Sequence, residues 1–155
     1  MQYRRFGRTN LNIPILSLGG MRFQKSWDQL DVSEISYKEQ NKVENILNLA
    51  NKYGFSHVET AKYYGTSEVQ LGIGFKNTKK IPNIIQTKIP PNSNPIIFKK
   101  DVITSIEKLK VKKIDLLAIH GINTAEHLHQ AIRDGGCIDI LRNFQKENLI
   151  GSIGF

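Results

Sequence analysis

Residues 83–120, NIIQTKIPPNSNPIIFKKDVITSIEKLKVKKIDLLAIH, hold two short apolar stretches with a helical pattern between them. NIIQTKI and KIDLLAIH are typical of β-strands in length and composition. In the intervening segment Asn94 is a suitable N-cap, and Pro95 suits the first helical position. Strand, helix, strand is the rhythm of a parallel sheet, so this stretch predicts a β–α–β unit.

The same alternation extends towards the N terminus. SHVET, residues 56–60, is predicted to be a strand, and a helix begins at Thr66. Before it, residues 39–52 form a helical pattern whose apolar face holds Val43, Ile46, Leu47 and Ala50. ILSLGG, residues 15–20, is predicted to be a buried strand ended by glycines. Strands and helices therefore alternate through this part of the chain.

The two ends of the sequence complete the pattern. Near the N terminus GRTN is a turn signal between two strand-like stretches. After the central unit, residues 124–148 are predicted to be helical in two pieces broken at DGG, and GSIGF, residues 151–155, opens a further strand. The whole of 1–155 is predicted to belong to one domain, because a chain of this length is the size of one typical domain.

Two architectures use this alternation. A doubly wound sheet normally has a glycine-rich phosphate turn after its first strand, and LGGMRFQ, residues 18–24, lacks the G-x-G-x-x-G spacing. A (β/α)8 barrel of the TIM type instead places its chemistry at the carboxyl ends of several strands. Here the successive strands run into Glu59, Lys88 and His120. An acid, a base and an imidazole at three consecutive strand ends favour the α/β barrel.

Composition excludes several other classes of protein. The net charge of +8 is scattered, without interleaved aromatic residues or a nucleic-acid motif, so no nucleic-acid partner is predicted. No apolar run approaches the roughly 20 residues of a membrane helix, and no apolar signal segment follows Met1. Cys137 is the single cysteine, which fits a reducing compartment. We therefore expect a cytoplasmic protein that does not bind membranes.

Glu59, Lys88, His120 and a nearby tyrosine suit carbonyl reduction. A phenol is a poor proton donor at neutral pH, and a nearby ammonium stabilises the phenolate. Lys88 is expected to supply that ammonium, with Glu59 holding it in place and keeping it charged. His120 is expected to donate to the substrate carbonyl and orient it. Since no side chain supplies hydride, a cofactor is needed.

Several separated stretches resemble the aldo-keto reductase family. HVETAKYYGTSE (57–68), IIQTKI (84–89), DLLAIHGIN (115–123) and GSIGF (151–155) are similar, in order, to the family's D-x-A-x-x-Y-G-x-S-E motif, its strand-end Lys, its strand-end His and its next strand. The N-terminal segment 1–23 is similar too. Matched residue by residue, the resemblance implies that Tyr64, which directly precedes Gly65, is the proton donor and that Tyr63 is a bystander.

The resemblance also implies a cofactor, a substrate class and a length. It implies NADP(H), contacted at Gly20, Met21 and Arg22, and a small-molecule carbonyl substrate. The chain is expected to form roughly the first half of the barrel, up to the start of its fifth strand, since the full fold needs about 250 residues. The open edges of such a half-barrel are expected to favour self-association. HVETA and GGC are also similar to a subgroup whose longer members carry a C-terminal iron–sulfur region.

Two features depart from the family pattern or leave alternatives open. Glu59 stands where the family usually has Asp, so the pairing with Lys88 has to accommodate a longer side chain. The alternative function is a truncated or non-catalytic binding or regulatory protein of the same fold, in which Glu59 and Lys88 form a structural ion pair and Tyr64 packs.

For the remaining candidates the sequence gives weaker guidance. Gly19 and Gly20 serve either a tight turn or close approach of the nicotinamide, and Trp27 is either a substrate-pocket aromatic or an exposed loop residue. His57, His127 and His129 have no spacing typical of metal ligands. No metal site is predicted.

Overall fold

The computed structural model describes residues 1–24, 26–28, 30–78 and 80–155. The strands are β1 (Tyr3–Arg5), β2 (Asn12–Pro14), β3 (Leu18–Gly19), β4 (His57–Glu59), β5 (Ile84–Ile89), β6 (Ile114–Ile119) and β7 (Ile150–Gly154). The α-helices are α1 (Tyr37–Lys52), α2 (Ser67–Asn77), α3 (Pro95–Leu109), α4 (Ala125–Ile132) and α5 (Cys137–Lys146), and a 3-10 turn covers Val32–Glu34.

The central feature is a five-stranded sheet in the order β3-β4-β5-β6-β7, in which every neighbouring pair is parallel. Each strand is connected to the next through one or two helices. The strands β1 and β2 form a separate antiparallel hairpin. This is the arrangement of a partial (β/α)8 barrel, with β3 to β7 as its first five strands.

Along each strand of the sheet, the side chains point alternately to two different surfaces. Val58, Ile85 and Leu117 belong to the core between the sheet and the helices, together with Phe75 and Phe98 from α2 and α3. Within each strand, the residues directly before and after these point to the opposite face of the sheet, because side chains alternate along a strand. That opposite face is the interior of the barrel.

The predicted helices are present, and α1 begins at Tyr37, two residues before the predicted start, with a cap that was not predicted. Ser36 and Glu39 form a reciprocal capping box at the start of α1, and the side chain of Asn94 accepts hydrogen bonds from the first turn of α3, with Pro95 as its first residue. The two pieces predicted in 124–148 are α4 and α5, and the turn at GRTN joins β1 to β2. These predictions are confirmed.

Two predictions about burial are wrong. Residues 15–20 do not form a buried strand: only Leu18–Gly19 pair with β4, and Ile15 and Leu16 are 54% and 57% exposed. An apolar run indicates burial only where it pairs as a strand and both of its faces are covered, and here Ile15 and Leu16 precede the two residues that pair. Ile46 of α1 is also exposed, at 38%, whereas Val43, Leu47 and Ala50 are buried.

The helices α2 and α3 pack closely at a glycine. A Cβ at Gly72 of α2 would overlap the backbone of α3 at the carbonyl oxygen of Lys108, and would lie 2.9 Å from the carbonyl carbon of Leu109. Only glycine allows the two backbones to approach this closely. None of the helices within the described residues is both long and apolar enough to cross a bilayer.

Candidate active site

Backbone hydrogen bonds place three of the predicted residues at one edge of the sheet. Glu59 ends β4, Lys88 is the penultimate residue of β5, and His120 follows β6. The N–H of Lys62 donates to Lys88 O at 2.9 Å, and the N–H of His120 donates to Ile89 O at 2.8 Å. Parallel pairing therefore continues past the strand ends and brings the three residues to the carboxyl edge.

Glu59 and Lys88 form a direct ion pair between Lys88 Nζ and Glu59 Oε1. Lys88 Nζ also donates to the backbone carbonyl of Thr60 at 3.1 Å, so two oxygens hold the ammonium. The side chain of Lys88 is 17% exposed and that of Glu59 is 26% exposed. The additional methylene of Glu59, relative to the family's Asp, does not prevent the pairing.

Tyr64 lies against this ion pair. Its ring centroid is 4.7 Å from Lys88 Nζ, and its ring meets that of His120 edge to face at a centroid distance of 5.9 Å. The neighbouring Tyr63 is 56% exposed, and its ring lies 5.8 Å from Lys62 Nζ instead. The structure thus brings Glu59, Tyr64, Lys88 and His120 together and leaves Tyr63 outside.

Burial lowers the pKa of both basic groups of the cluster, Lys88 and His120. It lowers the pKa of Lys88 to about 8, because a desolvated ammonium is disfavoured. The adjoining Glu59 carboxylate opposes this shift, since it favours the charged form. Burial, and then the positive charge of Lys88, lower the pKa of His120. The His120 imidazole is therefore mainly neutral at neutral pH, with one nitrogen able to donate and the other to accept.

His120 has unused hydrogen-bonding capacity. Its Nδ1 is buried and has no hydrogen-bond partner among the described residues. An unpaired buried polar atom is costly in a folded protein, and such atoms are often paired by a ligand or water at a functional site. This nitrogen lies in the same cluster as the Tyr64 ring.

Trp27 forms one wall of the cluster. Its ring meets the Tyr64 ring edge to face at 6.4 Å, although its side chain is 60% exposed. The segment that carries Trp27 crosses directly over Gly65, where a Cβ would overlap Ser26 O and lie 3.2 Å from Asp28 O. Gly65 also has a positive φ of 50°, which favours glycine. Trp27 is thus both exposed and adjacent to the candidate site.

The predicted cofactor residues form a turn at the end of β3. The N–H of Gly20 donates to Glu59 O at 2.7 Å, and Gly20 O accepts from the Phe23 N–H at 3.0 Å, which closes the turn around Met21 and Arg22. Gly20 is buried, Met21 is half-buried and Arg22 is exposed. A Cβ at Gly20 would lie 2.7 Å from Ser67 Oγ, so packing against α2 already requires glycine here.

Gly19 differs from Gly20 in this respect. A Cβ at Gly19 would meet, among the described residues, only Glu59 Oε2, at 4.0 Å. The backbone of β3 is therefore open beside the Glu59 carboxylate. An exposed backbone, an adjoining turn and an unpaired imidazole nitrogen fit a flat ring lying over this edge of the sheet. The residues present are compatible with a bound nicotinamide.

A buried set of hydroxyls behind the cluster was not found from sequence. Ser67 and Thr60 are both 0% exposed, and their hydroxyl oxygens lie 2.8 Å apart. Ser67 Oγ donates to Gly20 O at 2.8 Å. The only sequence signal was the position of Ser67 in the first turn of a predicted helix, where a serine normally caps or faces solvent.

Glu68 is a second buried group that the sequence did not single out. It is 2% exposed and accepts hydrogen bonds from Thr87 Oγ1 at 2.6 Å and from Ser105 Oγ at 3.2 Å. Burial raises the pKa of its carboxyl group, an effect that both hydrogen bonds and the charges of Lys108 and Lys62 oppose. Glu68 thereby connects α2 to β5 and to α3.

His57, His127 and Cys137 make contacts with residues outside the cluster. His57 contacts Ser17 Oγ at 2.7 Å and Gln86 Oε1 at 3.0 Å, and His127 Nδ1 lies 3.0 Å from Gly121 O. Cys137 is buried. In the ranges the structure covers, no three His, Cys, Asp or Glu side chains are grouped as metal ligands would be.

Comparisons with known proteins agree on one family. Residues 15–155 match the model of the aldo/keto reductase family. A search of curated proteins finds no match. Among solved structures, an aldo-keto reductase of Pseudomonas aeruginosa superposes with a TM-score of 0.78 at 23% sequence identity, covering 97% of this chain and 58% of its own.

Two further structures are similar. The holo form of an aldo-keto reductase from Bacillus halodurans gives a TM-score of 0.75 at 20% identity, with 99% of this chain and 49% of that chain covered. A thermostable aldo-keto reductase in complex with the inhibitor epalrestat gives 0.75 at 24% identity, with 99% and 53% covered. At these identities the likeness concerns the fold, and the chain spans about half the length of the structures it resembles.

Proposed function

The chain belongs to the aldo-keto reductase family, and we propose on that basis that it supplies the catalytic residues of an NADP-dependent oxidoreductase acting on a small carbonyl or alcohol substrate. The observation that carries the proposal is the contact of Lys88 with both Glu59 and the Tyr64 ring. An ion pair alone would be structural. An ammonium that also lies over a tyrosine ring is placed where its charge favours the phenolate form of that tyrosine.

In the proposed reaction Tyr64 donates a proton to the carbonyl oxygen of the substrate. The Lys88 ammonium, 4.7 Å from the Tyr64 ring centroid, stabilises the phenolate that remains. Glu59 and the carbonyl of Thr60 hold the ammonium in place. The substrate oxygen receives one proton and its carbon one hydride, so the carbonyl becomes an alcohol. NADPH, when bound, is the source of that hydride.

His120 and Trp27 have supporting roles in this proposal. The neutral imidazole of His120 donates a hydrogen bond to the substrate oxygen and so orients the carbonyl towards Tyr64. Trp27, exposed at the edge of Tyr64, shields the substrate from water on that side. Gly20, Met21 and Arg22 would hold the cofactor at the end of β3.

Replacement of each tyrosine in turn tests the proposal. In the protein at its natural length, with NADPH and a small aromatic aldehyde, Tyr64→Phe removes the proton donor and should lower kcat by about 100-fold or more. Tyr63→Phe removes the same hydroxyl from an exposed ring beside Lys62 and should change kcat by less than about twofold. Loss of NADPH absorbance follows the reaction.

Two outcomes would contradict the proposal. Equal losses from Tyr63→Phe and Tyr64→Phe would show that Tyr64 is not the donor. Unchanged turnover in Tyr64→Phe, or no turnover in the natural protein with any of a panel of aldehydes and ketones, would favour the alternative of a non-catalytic protein of this fold.

A further inference from the structure

The hydroxyl of Ser67 lies between two parts of the candidate site that are far apart in sequence. It donates to Gly20 O at 2.8 Å and lies 2.8 Å from Thr60 Oγ1. Gly20 begins the turn that presents Met21 and Arg22. Thr60 provides the carbonyl that accepts from Lys88. Ser67 itself is 0% exposed and contacts no solvent.

The direction of these hydrogen bonds follows from counting donors. A serine hydroxyl has one hydrogen, and in Ser67 it is committed to Gly20 O. The Thr60 hydroxyl must therefore donate to Ser67 Oγ. Gly20 O accepts from the Ser67 hydroxyl and from the Phe23 N–H, which is one donor for each of its lone pairs. The Gly20 N–H donates to Glu59 O. The backbone groups of Gly20 are fully paired within the protein.

The fit around Gly20 depends on the size of Ser67 as well as on its hydrogen bond. A Cβ at Gly20 would lie 2.7 Å from Ser67 Oγ and 3.2 Å from Thr60 Cβ. The turn is thus held against α2 at the closest approach that a glycine permits. Without the Ser67 hydroxyl, Gly20 O would lose one of its two donors, and a small void would remain beneath the turn.

We propose that Ser67 is a positioning residue of the active site, whose buried hydroxyl fixes the Gly20–Phe23 turn against the first turn of α2 and so sets the place of the nicotinamide cofactor relative to Lys88 and Tyr64. This inference rests on the proposed function. Ser67 acts through the turn, and its own hydroxyl is enclosed by protein. Ser67 therefore affects the binding of the cofactor, whereas Tyr64 and Lys88 carry out the proton transfer.

The test compares two buried serines. Ser67→Ala and Ser105→Ala each remove one hydroxyl from a 0% exposed site with a hydrogen bond to the protein, but Ser105 bonds Glu68 from α3, away from the turn. In the protein at its natural length, Ser67→Ala should weaken NADPH binding by about five- to tenfold, which is the effect of one hydrogen bond of ordinary strength. Ser105→Ala should leave the dissociation constant within about twofold.

Amide hydrogen exchange provides a readout independent of the cofactor. In the ligand-free protein, exchange at the Gly20 and Phe23 amides should be about tenfold faster in Ser67→Ala than in Ser105→Ala, because the Phe23 amide closes the turn and the Gly20 amide joins it to Glu59 O. Thr60→Val removes the other hydroxyl of the pair and leaves the bond from Ser67 to Gly20 intact. It should keep exchange at both amides slow.

The outcomes separate this inference from the proposed function. If Ser67→Ala and Ser105→Ala change binding and exchange equally, Ser67 is only a structural residue and the inference is overturned. If the natural protein binds no NADPH, the proposed function fails, and the exchange measurement alone decides whether Ser67 fixes the turn. Should Ser67→Ala not fold, Ser67→Cys, whose thiol is a weak donor, is expected to give an intermediate loss, and wild-type binding in that variant would overturn the inference.

Discussion

The charge of Lys88 depends on two opposing influences. Burial lowers the pKa of its ammonium to about 8, and contact with the Glu59 carboxylate favours the charged form. The ammonium stabilises a phenolate only while it is charged. In the proposed reaction, Glu59 therefore sets the upper end of the pH range in which the Lys88 ammonium can stabilise the Tyr64 phenolate.

Removal of the carboxylate should shift that upper limit downwards. In Glu59→Gln burial acts without the opposing carboxylate, so the pKa of Lys88 falls below the value of about 8 that it has in the natural protein. The ammonium then loses its proton at lower pH, and the high-pH limb of kcat/KM should begin at lower pH than in the natural protein. A pH–rate profile between neutral and alkaline pH measures the shift.

Glu59→Asp is the matched control for this experiment. It keeps the negative charge and restores the residue usual in the family, and its high-pH limb should stay close to that of the natural protein. Superimposable profiles for Glu59→Gln and the natural protein would show that the carboxylate does not control the charge of Lys88.

Among individual residues, those at the carboxyl ends of the strands could be predicted from the sequence more readily than the buried residues that support them. Glu59, Lys88 and His120 could be identified because each interrupts or follows an apolar strand, where an ionisable group stands out. The role of Ser67 could not be identified in this way. It depends on a contact with Gly20, at a separation of 47 residues, and nothing in the local pattern indicates which distant carbonyl a buried hydroxyl meets.

Among the elements, α2 connects several parts of the candidate site. Its first turn holds Ser67 and Glu68, which bond to Gly20 and to Thr87 of β5, and Gly72 lies against the backbone of α3. The helix is buried on several sides, so it has little of the one-sided apolar pattern that marks a surface helix. A shift of α2 would move the turn of Gly20 and the strand of Lys88 together.

Substitution of Gly72 tests how tightly α2 is fixed. In an exposed helix Gly→Ala stabilises by about 1 kcal/mol. At Gly72 the added methyl overlaps the backbone of Lys108, so the helices must separate, and we expect Gly72→Ala to lower the free energy of unfolding by about 2 kcal/mol. Chemical denaturation of the protein at its natural length measures the change.

Gly74 on the same helix is the internal control. Its added Cβ would meet the end of the Leu47 side chain at 2.5 Å, and a side chain yields more readily than a backbone. Gly74→Ala should therefore cost less than Gly72→Ala. The reverse order would mean that α2 and α3 can separate more easily than Leu47 can rotate.

Element types could be predicted along most of the chain, and the exceptions have a common cause. The alternation of strands and helices, the caps at Asn94 and Pro95, and the break between α4 and α5 all depend on local sequence. The extent of β3 depends on how many strands flank it, which local sequence does not contain. The exposure of Ile46 depends likewise on what lies beside α1.

At the scale of the whole molecule, the sheet has two open edges. Among the described residues β3 pairs only with β4, and β7 pairs only with β6. Unpaired backbone groups along an edge strand can pair with another chain. A polypeptide of residues 1–155 prepared on its own should therefore self-associate, and its sedimentation coefficient should rise with protein concentration. This polypeptide should also bind NADPH weakly.

Gly154→Lys offers a control for the mechanism of association. A Cβ at Gly154 has no atom within 4 Å, so the side chain fits without strain at the end of β7. Lysine on an edge strand opposes strand addition, and this variant of the polypeptide should associate less. A monomer that unfolds cooperatively and binds NADPH at micromolar concentration would contradict the prediction for the unmodified polypeptide.

The order of the sheet, β3-β4-β5-β6-β7, is also the order of the chain. During synthesis, the strand with which each new strand of this sheet pairs has therefore already been translated. Glu59 and Tyr64 emerge with β4 and the segment after it, Lys88 follows in β5, which pairs with β4, and His120 follows β6, which pairs with β5. Pairing between neighbours keeps loop closure short, so the cluster can assemble step by step during translation.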